Sequence, residues 1–249
     1  MPIYADRYYE QMTKLVEGVF SAQRKEIAAV AALFVDAIVA KRTIWAFGCT
    51  HSSMMAAELY YRAGGLVPVR GIFGPGLWPD QLPVTRTSEL EKLEGYGKVI
   101  LADLPLKPGD VLMVSSTSGK NAVPVEVALE GKARGLTVVG LTSLPYSGSV
   151  ESNHSSGKRL SEIADIVLDN AAPKGDALIG YPEFPHFLGF VGATSTVSGA
   201  LILNAIVVET VGLLLEKGHK PPVYISGNVE GGMEANRKAM AEDREGAGV

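Results

Sequence analysis

Two short stretches gather hydroxyl side chains where an anion is most easily held. The first is Gly48-Cys49-Thr50-His51-Ser52-Ser53 and the second is Ser115-Ser116-Thr117-Ser118-Gly119-Lys120-Asn121. Each follows a short apolar run and precedes a helical pattern. Hydroxyls, backbone N–H groups and the positive end of a helix dipole would then face one phosphate or carboxylate. Serines in such places also act as N-caps and turn residues, but two clusters in equivalent positions favour the cradle. Glu58 stands six residues after Ser52, less than two helical turns on, among Ala56, Ala57 and Leu59. That placement suits a general base. His51, inside the first cluster, and His154, in the polar segment Asn153–Lys158, are candidate acids. His186, beside Phe184 and Pro185, reads as a packing residue, and His219, after Gly218, as a helix-end residue.

The elements that must position these groups follow from periodicity. Tyr8, Met12, Leu15 and Val19, then Ile27, Val30, Phe34, Ala37 and Ile38, form apolar stripes at helical spacing. Thr43–Phe47, Leu66–Ile72, Val111–Val114, Thr137–Leu141 and Asp165–Leu168 read as strands, with Pro68 marking an edge or a bulge. Helices are expected over Met54–Arg62, Thr87–Gly97, Ala122–Arg134, Lys158–Ala164 and Ser195–Lys217, and in the charged tail after Gly231. Asn170–Gly180 reads as a Pro/Gly loop. The hydroxyls of Thr194, Ser195, Thr196 and Ser198 either cap the long helix or face a ligand. Strands alternating with helices predict a parallel sheet covered on both faces, whose carboxyl edge carries both serine clusters.

Composition narrows the function classes. The chain has 249 residues with 23 Lys+Arg against 27 Asp+Glu, a net charge of −4, which argues against nucleic-acid binding by bulk electrostatics. One cysteine excludes an intrachain disulfide framework. The first residues lack the plan of a signal peptide, and the apolar runs Ala28–Val35 and Ala200–Val208 are too short to span a membrane, so a cytoplasmic protein without membrane partners is expected. Glycine is abundant, 28 residues, which suggests tight turns or close backbone approach.

Sharper phosphate and nucleophile motifs fail. In the P-loop pattern the first glycine would fall on Val114 and Asn121 replaces Ser/Thr; GxGxxG is missing from the first loop, and so is GxSxG from the second. The pattern present instead resembles the sugar isomerase (SIS) domain superfamily. Gly48, Thr50 (where glycine is usual) and Ser52 match its first loop. Ser116, Ser118, Gly119 and Asn121 (where Thr or Ser is usual) match its second. Ala56–Gly65 also resembles small stand-alone SIS proteins that are uncharacterised or assigned as phosphoheptose isomerases by similarity alone.

The resemblance implies a three-layer α/β/α sandwich with a flavodoxin-like parallel sheet and an N-terminal helical extension. The whole chain, 1–249, would be one SIS domain: helices over 1–40, the α/β core over 41–218 and a tail over 219–249. It implies a phosphorylated sugar as ligand, held by Gly48, Thr50, Ser52, Ser53, Ser116, Thr117, Ser118, Gly119 and Asn121, and a homodimer or homotetramer. The expected activity is aldose–ketose isomerisation with Glu58 as base and His51 or His154 as acid. The alternatives are an amino-sugar-phosphate lyase or etherase and a non-catalytic phosphosugar-binding regulator. Two departures stand out. The loop-to-Glu58 spacing is about a helical turn shorter than in the isomerases. Asn204 occupies the place where their last long helix carries a histidine. No cofactor is expected. Zinc, which some of those isomerases bind, would need Cys49, His51 and His154 together, a weak pattern, so no metal is assigned.

Overall fold

The computed structural model describes residues 3–80 and 82–247. Two helices, α1 (Tyr4–Ala22) and α2 (Arg24–Val39), precede β1 (Ile44–Gly48) and α3 (Ser53–Leu59). Then come β2 (Val69–Ile72), α4 (Thr85–Leu90), α5 (Tyr96–Leu101), β3 (Val111–Ser115), α6 (Ala122–Ala133), β4 (Thr137–Thr142), α7 (Leu144–Gly148) and β5 (Ile166–Asp169). The chain closes with β6 (Ala177–Gly180), β7 (Phe190–Ala193), α8 (Ser195–Glu216) and α9 (Gly232–Ala247).

Five strands form one parallel sheet in the order β2-β1-β3-β4-β5, with β2 at an edge as Pro68 suggested. Alternation along the strands divides the core. Ile44, Ala46, Val111 and Met113 join α1, α2, α3 and α8 on one face. Trp45, Phe47, Leu112 and Val114 join α6 and the shorter helices on the other. Every residue of β1 and β3 is buried, as expected of central strands covered on both sides. The expected three-layer sandwich with N-terminal helices is therefore the observed architecture.

Several boundaries differ from the sequence reading. The helix expected over Met54–Arg62 ends at Leu59, because residues 64–67 pair with 222–224: Gly64 N–H donates to Tyr224 C=O at 2.8 Å and Val67 N–H to Pro222 C=O at 2.8 Å. The helix expected over Thr87–Gly97 is two helices. Gly95, at φ 91°, breaks the run, and the buried Glu126 carboxylate caps the second piece by accepting from Gly95 N–H (3.0 Å) and Gly97 N–H (2.7 Å). Only Leu160–Glu162, a 3-10 turn, forms within Lys158–Ala164. The Asn170–Gly180 loop contains β6, which pairs antiparallel with β7 outside the main sheet. The tail helix packs back on the fold through buried Asn236, which exchanges hydrogen bonds with both backbone groups of Ile225, and through an Arg70–Asp243 ion pair.

One buried carboxylate ties the two central strands together. Asp110, at the start of β3, accepts from Thr43 N–H (3.1 Å), Trp45 Nε1–H (3.0 Å) and Lys107 N–H (3.0 Å). Asp110→Ala would leave three donors without their acceptor and is expected to cost about 3 kcal/mol. Denaturant unfolding checks this. A loss below about 0.5 kcal/mol, the size of an ordinary surface change, would show that the clamp contributes little.

Candidate functional site

β1 and β3 lie side by side, with Gly48 opposite Ser115. Their following helices cover opposite faces of the sheet, α3 with the first core cluster and α6 with the second. The carboxyl ends therefore open on a crevice at a topological switch point, where ligands bind in doubly wound sheets. The cleft there is lined by His51, Ser52, Met55, Ser115, Ser116, Thr117, Leu141, Asn170, Ser195 and Thr196. Its free volume is about 10 Å³, roughly the room that a single water molecule needs and far less than a sugar phosphate requires. A ligand must therefore separate the loops or bind at the mouth. A larger groove of about 440 Å³ lies at the amino edge, where Lys41, Arg42 and Pro68 precede the strands; none of the serine-loop residues line it.

The first loop is built around two backbone features. A Cβ at Gly48 would fall 2.2 Å from Ser52 C=O, so glycine lets the loop fold over the strand end. Thr50 has φ 52°, a conformation that a β-branched residue adopts only under strain, at the position where the resemblance expected glycine. Thr50 N–H donates to Leu77 C=O at 2.7 Å and Ser53 Oγ to Thr50 C=O at 2.5 Å. Ser53 is thus buried in the loop's own structure, while His51 is exposed and Ser52 half-buried at the cleft.

In the second loop, Ser116 and Thr117 face the cleft, but Ser118, Gly119 and Asn121 are not among its lining. Gly119, at φ 64°, packs against Thr142 and Ser147. Asn121 Oδ1 accepts from Asn153 Nδ2 at 2.8 Å. The start of α6 has little to offer an anion: Val123 N–H donates to Glu91 C=O (3.0 Å) and Pro124 has no N–H. The expected contribution of that helix terminus is therefore already spent. At α8 the same is true. Asp176 accepts from Thr194 N–H (3.1 Å) and Ser195 N–H (2.8 Å), and from both side-chain hydroxyls, Thr194 Oγ1 (2.8 Å) and Ser195 Oγ (2.5 Å). What remains at the cleft is a set of hydroxyls with His51 as the one imidazole.

The candidate acid–base groups separate. Glu58, half-buried on α3, pairs with Arg62 and accepts from Asn204 Nδ2 at 2.7 Å. Asn204, the residue standing in for a histidine, thus faces Glu58 from α8. Ser52 and Glu58 are about 9 Å apart along the helix axis at 1.5 Å per residue. His154 is drawn elsewhere: Nε2 lies 3.1 Å from Glu94 Oε1 and Nδ1 2.8 Å from Ser156 Oγ. Glu94 also accepts from Ser155 N–H at 2.6 Å, and the Ser155 hydrogen bonds hold its carboxyl below the usual range. His154 therefore organises its loop and does not line the cleft. Cys49 is buried, and burial, with the charge of Glu91 second, pushes its thiol well above the usual range. Among the described residues no group of three or more His, Cys, Asp or Glu is gathered to hold a metal.

Asn170, Asp176 and Glu91 were not singled out by sequence reasoning. Thr196 was, in the hydroxyl run 194–198 read as capping the long helix or facing a ligand, and it lines the cleft. Glu91, 9% exposed, sits behind the second loop, and burial raises its carboxyl above the usual range against the opposing effects of Asn121 and Lys92.

The SIS domain profile matches residues 7–143, a little over half of the chain. A UPF0309 protein of Shouchella clausii is 40% identical over 239 residues, 96% of each chain. This chain belongs to the UPF0309 family of SIS-domain proteins. Another family member, from Caldanaerobacter subterraneus, is 39% identical over 236 residues, covering 94% of this chain and 95% of its own. The fold is similar to that of the phosphoheptose isomerase of Neisseria gonorrhoeae, with a TM-score of 0.55 at 15% identity over 84% of this chain and 97% of that one. SIS domains as a class bind phosphosugars and include sugar-phosphate isomerases.

The Glu91 environment gives a pH-dependent expectation. A carboxyl raised in the folded state favours the fold below its unfolded value, near 4.5, and that advantage is lost as pH rises through the folded value. Glu91→Gln in this SIS-domain protein is therefore expected to raise the melting temperature at pH 8 and to make no difference at pH 4. A gain independent of pH would reject burial of the charge as its cause.

Proposed function

We propose that this UPF0309 protein binds a phosphorylated sugar at the β1–β3 crevice and isomerises it between aldose and ketose forms. The observation that carries the reading is the cleft itself, where Ser52, Ser116 and Thr117 converge with Thr196 at the switch point, the Ser195 hydroxyl beside them being donated to Asp176. Neutral hydroxyl donors suit a phosphate that must enter and leave. Glu58 would take the proton from the carbon beside the substrate carbonyl and return it to the neighbouring carbon, passing through an enediol with no net redox change. His51, at the mouth of the cleft, would serve the oxygens, and Asn204 would orient the Glu58 carboxylate. His154 has no part in this scheme.

A second reading is a phosphosugar-binding protein without turnover. Its support is the Glu58–Arg62 ion pair, together with Asn204 standing where the isomerases carry histidine. The two readings separate by NMR of a panel of five- to seven-carbon sugar phosphates incubated with the protein in D2O. Isomerisation predicts interconversion with deuterium entering at the carbon beside the carbonyl. Glu58→Gln is expected to slow it by at least about 100-fold, as for loss of a general base, with affinity changed only a few-fold. Binding without interconversion would favour the second reading. Full activity in Glu58→Gln would remove that residue from the mechanism.

A further inference from the structure

The groove at the amino edge of the sheet has apolar walls and an unanswered pair of cations. Ile38 and Leu214 reach it from α2 and α8, Pro68 from the start of β2, and Pro221, Pro222 and Val223 from the segment after α8. α9 closes over it with Ala235 and Ala239, about one turn apart, where longer side chains would fill the space. The volume of about 440 Å³ falls in the range of small-molecule sites, roughly 300–1,000 Å³. The prolines stiffen the wall, and residues 222–224 are held from behind by backbone hydrogen bonds to 64–67. The space is thus formed before any ligand arrives.

The charges around it do not balance. Two carboxylates line the groove from α9, and both are engaged: Glu242 lies 3.8 Å from Lys220, and Asp243 pairs with Arg70. Lys41 and Arg42 also line it, and among the described residues their side chains have no hydrogen-bond or ion-pair partner. Both sit in the tight turn that closes α2, where Arg42 N–H donates to Ala37 C=O at 2.8 Å. Lys41 has φ 56°, just past the helix end, where glycine is usual. Such strain is held where a side chain is needed in place. The Arg42 guanidinium lies along the next turn, since a Cβ at Gly109 would fall 3.4 Å from Arg42 Nε.

We propose that this groove is a binding site for a small monocarboxylate with an apolar body. Arg42 would donate two parallel hydrogen bonds to the carboxylate, with Lys41 beside it as a second charge. The body of the ligand would cover the proline and aliphatic walls. A bare anion would leave those walls in water, and the hydroxyls of a sugar would find few partners on them. None of the serine-loop residues line the groove, so the proposal does not rest on the phosphosugar reading.

The test is calorimetry and saturation-transfer NMR on the full chain with octanoate, phenylacetate and indole-3-acetate, each beside its neutral amide. At least one acid is expected to bind with a dissociation constant of about 1 mM or lower. Its amide should bind at least about tenfold more weakly, as for loss of a charge-assisted hydrogen bond. Lys41→Gln/Arg42→Gln should weaken the acid by a similar factor, with folding checked by far-UV circular dichroism and a cooperative melt. Lys14→Gln/Lys25→Gln removes the same charge from exposed positions on α1 and α2 and should leave the affinity unchanged. The acid–amide comparison needs only the wild type and stands whether or not the variants fold. Failure of all three acids to bind, equal affinity for acid and amide, or unchanged affinity in the folded Lys41→Gln/Arg42→Gln variant would overturn the proposal. Displacement of the bound acid by an equal concentration of inorganic phosphate or hexose 6-phosphate would overturn the assignment of an apolar ligand.

Discussion

The parallel pairing of β1 with β3 is the contact on which the rest of the site depends. It places Gly48 beside Ser115, so that two loops leave the sheet at one level and their helices diverge to opposite faces. The crevice exists because of that divergence. Asp110 holds the register from the far end of the same strands, binding the backbone before β1, the Trp45 indole and the turn before β3. A slip of one residue would turn Phe47 and Val114 to the wrong core and separate the serines.

The site is shaped as much by occupied donors as by open ones. At the carboxyl edge the starts of α6 and α8 are already engaged, α6 by the Glu91 carbonyl and the absent N–H of Pro124, α8 by the Asp176 carboxylate, while α3 begins at the end of the first loop. An anion arriving here would find side-chain hydroxyls rather than the dipoles of α6 and α8. The strained Thr50 and the Cβ-free Gly48 serve this arrangement by bending the first loop back over its own strand.

The central strands, both serine loops and the long last helix were legible in the sequence because each is set by local periodicity and local stop signals. Counting back from the helix end also put Asn204 where the isomerases carry histidine, but its contact with Glu58, 146 residues away in sequence, is tertiary and was not legible. What escaped was non-local. α3 stops at Leu59 because a segment more than 150 residues later pairs with the chain just after it. Glu91 looked like part of a charged surface helix, yet it lies buried behind the second loop. His154 sat in a polar loop that could have closed over a ligand, and Glu94 holds it elsewhere. The glycines of the two loops suggested close approach to a ligand; Gly48 instead admits Ser52 C=O, and Gly119 packs on Thr142 and Ser147.

The crevice between β1 and β3 carries the functional account, and its free volume of about 10 Å³ makes a direct look at an occupied state the most telling measurement. A crystal of the protein soaked with a hexose 6-phosphate answers it. The account predicts the phosphorus within hydrogen-bonding reach of the Ser52, Ser116 and Thr117 hydroxyls, with the loops drawn apart and the sugar directed along α3 toward Glu58. Phosphate bound instead in the amino-edge groove beside Lys41 and Arg42, with the serine loops unchanged, would contradict it.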